Sequence, residues 1–158
     1  MNVAPTLEGG LRIDPETPED WHILRAITLD ANSHGIDLAS RLGGLVAHEK
    51  LAEDWQEIVV PDLRESFADD IFYISSAIET ASAFPGDSES PIFITPEDAF
   101  VWYGGLNQAR LALEEKYHFG NDPESDPANL SPQRHEAFLR GRFYCALQSF
   151  ILKYGLTL

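Results

Sequence analysis

The chain has 158 residues, a length typical of one domain, and its 26 acidic and 11 basic side chains give a formal net charge of −15. So negative a surface repels phosphate backbones and anionic lipid headgroups, which argues against nucleic acid or a membrane as a partner. We expect a cytoplasmic location because the single cysteine, Cys145, cannot form an intramolecular disulfide and no signal peptide or membrane span is evident.

Each half of the chain contains one short apolar segment followed by the same tetrapeptide, and the two features predict a strand and a helix start. Residues 11–13 and 92–94 are short and rich in branched side chains, which makes them candidates for a two-stranded ribbon. Residues 1–10 are expected to form a flexible N-terminus. The sequence Thr-Pro-Glu-Asp follows at 17–20 and again at 95–98, and its hydroxyl, proline and early carboxylates predict a helix start at both places.

The apolar pattern predicts three helices in the first half of the chain. The first is expected to end near Gly35, and the second is capped by Asp37 and runs towards Trp55 unless Gly43 and Gly44 break it. The third begins at Pro61 and is the clearest, because its apolar residues recur in a narrow stripe. This stripe comprises Leu63, Phe67, Ile71, Ile74, Ile78 and Ala81.

Two further helices are predicted in the second half. The fourth covers about 96–118, with Gly120 as the candidate for a left-handed cap, and the fifth covers about 132–154. The fifth is apolar nearly all round, so we expect it to be the buried central helix. The fold class predicted for 1–158 is therefore a single-domain, all-α bundle of about five helices, with a possible minor two-stranded ribbon.

Polar side chains at apolar positions of the last two helices are the candidate site residues. On the fourth helix they share one stripe, and on the fifth they lie within apolar arcs, so they need partners if they are buried. Two interpretations stay open: a structural network that sets helix register, or a site for a ligand or partner. The candidates are Asn107, Arg110, Glu114, Arg140 and Gln148.

No motif of established chemistry is complete in the sequence. Glu115 and His118 have the Glu-x-x-His spacing of di-metal bundles, but no second copy of that spacing exists. The acidic segment 122–126 lacks the glycine and the glutamate that a calcium loop needs, and Cys145 lies mid-helix among apolar residues. We therefore expect no catalytic residue, no metal and no cofactor, and an enzyme is the less favoured class.

Residues 94–113 read Ile-Thr-Pro-Glu-Asp-Ala-Phe-Val-Trp-Tyr-Gly-Gly-Leu-Asn-Gln-Ala-Arg-Leu-Ala-Leu and resemble a bacterial family of unknown function, best known from actinobacteria. Its members carry a helix with the signature Trp-Leu-x-x-Leu-Asn-Asp-x-Arg-Leu-x-Leu-Gly, then a final helix with an aromatic residue, a leucine and a glutamine. Residues 143–148, Phe-Tyr-Cys-Ala-Leu-Gln, are similar to that second piece. The positions that match are Asn107, Arg110 and Gln148.

The chain departs from this signature where Gln108 replaces the aspartate, Glu114 the glycine and Tyr103 the leucine after tryptophan. A function of that aspartate in relatives would therefore be absent here. Members of the family are small and acidic, and some are encoded near an adaptor of regulated proteolysis. The resemblance thus implies a regulatory or partner-binding role.

The first functional hypothesis is a non-catalytic interaction or regulatory domain of a bacterial protein, with a protein partner or self-association through exposed apolar residues such as Phe72 and Tyr73. The alternative is a binding or catalytic pocket for a small anionic molecule around Arg110 and Arg140. A deep cavity at these arginines favours the alternative, whereas arginines already paired with carboxylates oppose it. A third hypothesis, an acidic decoy for a nucleic-acid-binding protein, depends on net charge alone.

Overall fold

The part of the chain that the structure describes contains five helices of eight residues or more and a small antiparallel sheet. This computed structural model describes residues 1–33, 37–48, 50, 52–83, 90–121 and 130–156. The helices are α1 (Pro18–Ala31), α2 (Leu38–Leu45), α3 (Val60–Ser82), α4 (Ala99–Tyr117) and α5 (Pro132–Phe150). The prediction of a mostly helical bundle of about five helices is confirmed. Within the described residues, none of the helices combines the length and the apolar character needed to cross a membrane.

The sheet contains the predicted ribbon and one further strand. β2 (Leu11–Asp14) pairs with β3 (Ile92–Ile94) in antiparallel register, with Ile13 opposite Ile92. β1 (Asn2–Pro5) extends the sheet on the other side of β2, so a strand lies within the segment that was predicted to be flexible. The signal for β1 was weak because its four residues show no run of branched side chains.

The turn between β1 and β2 depends on two adjacent glycines. Gly9 and Gly10 both have positive φ angles, 86° and 89°, which side chains with a Cβ rarely adopt. The N–H of Gly10 donates to the carbonyl oxygen of Tyr154 at 2.9 Å. This bond ties the hairpin to the π-helical turn Ile151–Gly155 that follows α5.

The second predicted helix ends at the two glycines that the sequence offered as a break, and it does not run on to Trp55. α2 ends at Leu45, where the N–H of Val46 bonds to the carbonyl oxygens of Gly43 and Gly44, and the next helical segment among the described residues is Ala52–Asp54. Two consecutive glycines lower helix propensity, which explains the early end. A π-helical turn, Trp55–Val59, then leads into α3. Gly35, the predicted end of the first helix, lies outside the described residues, as does the acidic segment 122–126.

The central helix is α4, and the prediction that the fifth helix occupies the centre is wrong. α1, α3 and α5 all pack against α4, which buries Trp102, Leu106 and Leu113. α5 contacts α4 through one face and leaves Leu139 and other apolar residues of its far face in solvent. A broad apolar arc predicts which positions of a helix tend to be buried, but it does not predict how many other helices pack against that helix.

Both ends of α4 differ from the prediction of 96–118. The helix begins at Ala99, because residues 96–98 form a turn, and it ends at Tyr117. The left-handed residue that follows is His118, with φ 52°, rather than Gly120. The N–H of His118 donates to the carbonyl oxygen of Glu114 at 2.7 Å, which satisfies one of the last carbonyls of the helix.

Candidate functional site

The five candidate residues fall into three separate sets. Arg140 faces α1, Gln148 faces the backbone of α4, and Asn107, Arg110 and Glu114 lie along a stripe of α4 that runs beside α5. The structure therefore does not bring Arg110 and Arg140 together in one pocket. Each set has its own geometry and its own chemical possibilities.

Arg140 is held by a buried carboxylate. Its Nε and Nη2 donate to the two carboxylate oxygens of Asp30 at 2.7 and 3.0 Å, and the Tyr144 hydroxyl donates to Asp30 Oδ2 at 2.7 Å. The hydrogen bond to Asp30 raises the pKa of Arg140, and burial raises the pKa of Tyr144. With Asp30 only 8% exposed, this set joins α1 to α5 and favours the structural interpretation for Arg140.

Gln148 is also occupied by the fold. Its Nε2 donates to the carbonyl oxygen of Tyr103 at 3.2 Å, and its side chain is almost completely buried. Gln108 makes the corresponding bond on the other side of α4, from Nε2 to the carbonyl oxygen of Phe67 at 3.2 Å. Two buried glutamines thus attach α4 to its neighbours α5 and α3, as the structural interpretation predicts.

Arg110 is the candidate whose hydrogen bonding is incomplete. Its Nη2 donates to Asn107 Oδ1 at 3.0 Å, whereas its Nε is buried and has no partner among the described residues. Glu114, one turn further along α4, accepts the N–H of Gly120 on Oε1 at 2.9 Å. Buried donors are nearly always satisfied in proteins, so the Nε of Arg110 requires an explanation.

Arg110 lines a groove between α4 and α5. This α4–α5 groove has a volume of about 260 Å³, and Phe119 and Phe138 meet in it edge to face with ring centroids 5.6 Å apart. The described residues that line it are Arg110, Leu111, Leu113, Glu114, Phe119, Phe138, Gly141, Arg142 and Cys145. Cys145, which we expected to be packed among apolar residues, is exposed at this groove.

The arginines of the chain divide into those with and those without a carboxylate. Five of them form ion pairs, namely Arg12–Asp14, Arg25–Glu79, Arg41–Glu115, Arg64–Asp37 and Arg140–Asp30. Arg134 donates to the carbonyl oxygen of Tyr117 at 2.9 Å. Only Arg110 and Arg142 bind no carboxylate and no backbone carbonyl among the described residues, and both line the α4–α5 groove.

A second surface feature lies where α3 passes β3. Phe72, Tyr73 and Phe93, which we call the aromatic face, are 73%, 42% and 53% exposed. Tyr73 and Phe93 line a shallow groove of about 420 Å³ together with small residues of α3. The Tyr73 hydroxyl donates to Asp98 Oδ1 at 2.6 Å, and this bond raises the pKa of Tyr73 to about 12. The prediction that Phe72 and Tyr73 are exposed is confirmed.

Sequence reasoning missed Asp30, Tyr144 and Arg142. One signal pointed to Asp30, because it lies in the last turn of a helix, where the helix dipole opposes a negative charge unless a cation lies nearby. No sequence pattern pointed to Arg142, since it is a second arginine on the same helix two positions after Arg140.

The Glu-x-x-His spacing does not form a metal site with other described residues. His118 and Glu115 do not act together, because Glu115 pairs with Arg41. Among the described residues, no group of three or more His, Cys, Asp or Glu is arranged to hold a metal ion.

Most of the chain matches one known family of domains. A family model described as a domain of unknown function, DUF2017, matches residues 7–150, which include α4, α5 and the groove between them. No curated protein matches the chain, and no solved structure does. The expectation of a family of unknown function is confirmed at that level. Because the match spans more than half of the sequence, the chain belongs to the DUF2017 family of domains of unknown function.

Proposed function

We propose that the chain is a non-catalytic protein-interaction domain with a regulatory role, and that the aromatic face is its contact surface. The observation that carries this proposal is the exposure of Tyr73 and Phe93 on one shallow groove, next to the exposed Phe72 of α3. Exposed aromatic clusters cost solubility, and aromatic side chains are enriched where proteins bind each other. The cytoplasmic location expected from the sequence belongs to the same proposal.

The charge of the chain favours a basic partner. Asp98 accepts the Tyr73 hydroxyl at the aromatic face, Asp69 and Asp70 precede Phe72 on α3, and the whole chain has a net charge of −15. Two copies of the chain would therefore repel each other as they approach, whereas a partner with Lys or Arg around apolar side chains would be attracted. Self-association is the competing outcome of the test.

The test compares two double variants that remove similar apolar surface. Phe72→Ser with Phe93→Ser changes the aromatic face, and Leu29→Ser with Leu139→Ser changes exposed leucines outside it. Proteins captured from a lysate of the source organism are identified, purified and titrated against each form. We expect the aromatic-face variant to bind its partner about 30-fold more weakly, because truncated central aromatics cost about 2 kcal/mol or more.

Three outcomes would contradict the proposal. Equal loss of binding in both double variants would show that the effect is not specific to the aromatic face, and unchanged binding in the aromatic-face variant would place the contact elsewhere. A chain that sediments as a dimer only with the aromatic face intact would replace the basic partner by a second copy. Thermal unfolding of all forms checks that the exposed substitutions leave the fold intact.

A further inference from the structure

Two arginines without a carboxylate partner lie together at the α4–α5 groove. Among the described residues, Arg110 on one wall and Arg142 on the other have no such partner, while five arginines elsewhere form ion pairs. Arg134 also binds no carboxylate, but it donates to the carbonyl oxygen of Tyr117. Glu114 is the one carboxylate among the described residues of the groove, and it is engaged by the N–H of Gly120. The groove thus has a net charge of +1, two arginines against one glutamate.

The side chain of Arg110 is oriented by a neighbouring residue of α4. Asn107 Oδ1 accepts one of its Nη2 hydrogens at 3.0 Å and thereby fixes the guanidinium beside the groove. Its buried Nε has no partner in the described part of the chain, as is also true of Trp55 Nε1, Trp102 Nε1 and Arg134 Nε, so one donor is desolvated without compensation. A guanidinium that is oriented by the protein loses less freedom when it binds an anion, since its side chain is already ordered.

The remaining wall of the groove is apolar. Phe119 and Phe138 form its aromatic end, and Leu113 lies below Gly141. A Cβ at Gly141 would be in ordinary van der Waals contact with the Leu113 Cδ1 methyl, at 3.9 Å, so the glycine leaves space for about one methyl group beside Leu113. An apolar body that enters this space would bury aromatic and aliphatic surface, while its charged end would lie near the arginines.

From these features we infer that the α4–α5 groove binds a small organic anion, with an apolar or aromatic body on Phe119 and Phe138 and one carboxylate between Arg110 and Arg142. A carboxylate fits because its two oxygens match the fork of a guanidinium. A group with two or more negative charges fits less well beside Glu114 in a chain of −15. A volume of about 260 Å³ lies just below the usual range of ligand pockets, which restricts the ligand to a small molecule. This inference does not depend on the proposed interaction through the aromatic face.

The probe for this inference is 4-phenylbutyrate, titrated into the ¹⁵N-labelled chain and followed by amide chemical shifts. The neutral 4-phenylbutyramide, which has the same body without the charge, is the matched ligand control. We expect saturable shifts in α4 and α5 with phenylbutyrate, and binding of the amide that is about tenfold weaker, because the charge-assisted hydrogen bonds are lost.

Variants separate the groove from the rest of the surface. Arg142→Gln, at an exposed position, and Arg110→Gln are each expected to weaken phenylbutyrate binding by about fivefold to tenfold. Arg64→Gln removes one positive charge from another part of the surface and should leave binding unchanged. Glu114→Gln can still accept the N–H of Gly120, yet it removes the one negative charge of the groove, so it should tighten binding.

Several results would overturn the inference. They are equal affinities for the acid and the amide, unchanged affinity in Arg142→Gln, an equal loss in Arg64→Gln, and shifts that lie outside α4 and α5. Failure to saturate with millimolar phenylbutyrate would also overturn it, because a groove with two oriented arginines should hold a carboxylate at that concentration. Since Arg142 is exposed, its substitution leaves the fold intact even if Arg110→Gln proves unstable.

Discussion

At the scale of single residues, Asp30 joins the first long helix of the chain, α1, to the last, α5. Its carboxylate accepts two hydrogen bonds from Arg140 and one from Tyr144, so α1 and α5 are linked across 110 positions of sequence. An ion pair this buried adds little net stability over an apolar pair, because desolvation offsets the Coulomb attraction. Removing one partner is different, since it leaves the other charge buried and alone.

We therefore predict a graded loss of stability at this site. Asp30→Asn should lower the free energy of unfolding by about 3 kcal/mol, because Arg140 then lacks a counter-charge. Tyr144→Phe removes one hydrogen bond to the carboxylate and should cost about 1.5 kcal/mol. Urea unfolding measures both. Arg25→Gln, which breaks an exposed ion pair with Glu79, should cost less than about 1 kcal/mol, and equal effects of all three would contradict the assignment.

The repeated tetrapeptide shows how far local sequence determines a helix start. At 17–20 the prediction is confirmed: Thr17 caps α1, and the Asp20 carboxylate accepts the backbone N–H of Thr17 in return. At 95–98 the same four residues form a turn, and the Asp98 carboxylate accepts the hydroxyls of Thr95 and Tyr73 instead. One of the two partners of Asp98 is thus a tyrosine on another helix, which no local pattern could show.

At the scale of elements, two adjacent glycines of α4 have opposite environments. A Cβ at Gly105 would overlap the Cδ1 methyl of Ile74, a fully buried side chain of α3. A Cβ at Gly104 would meet only the tip of the Asp70 side chain, at 2.8 Å. Burial, with a smaller contribution from Asp69, raises the pKa of Asp70, so moving this carboxylate towards water costs little.

The two alanine substitutions should therefore have opposite signs. Gly104→Ala should raise the free energy of unfolding by about 0.5 kcal/mol, because alanine favours the helix and Asp70 can move aside. Gly105→Ala should lower it by about 1 kcal/mol or more, since the overlap with Ile74 exceeds the gain in propensity. Chemical denaturation of the two variants in parallel gives the comparison, and a stabilising Gly105→Ala would contradict the close approach of α3 and α4.

The elements that could be predicted from sequence are those whose own side chains specify them. The stripe of α3 is one example, since Ile71, Ile74 and Ile78 are buried as its period predicts. The central position of α4 was not predictable, because it depends on three helices that meet there. The candidate site followed the same rule: Asn107 and Arg110 were identified from one helix, whereas Arg142 emerged only when α5 lay beside it.

At the scale of the whole molecule, the net charge of −15 opposes folding through self-repulsion. Four of the five arginine–carboxylate pairs lie on or near the surface, so each contributes less than about 1 kcal/mol. Most of the acidic side chains have no basic partner, given 26 acids and 11 bases. Repulsion among them is therefore the larger of the two surface effects, and salt should weaken it.

We accordingly predict that added NaCl stabilises the chain. The Debye length falls from about 30 Å at 0.01 M to less than about 10 Å at 0.5 M, which screens repulsion between distant carboxylates more than it weakens adjacent ion pairs. Calorimetry should show an unfolding midpoint several degrees higher at the higher salt, about the shift that 1 kcal/mol produces in a domain of this size. The double variant Glu65→Gln with Asp69→Asn removes two exposed charges one helical turn apart and should reduce the salt dependence. A midpoint that falls with salt would show instead that the surface ion pairs outweigh the repulsion.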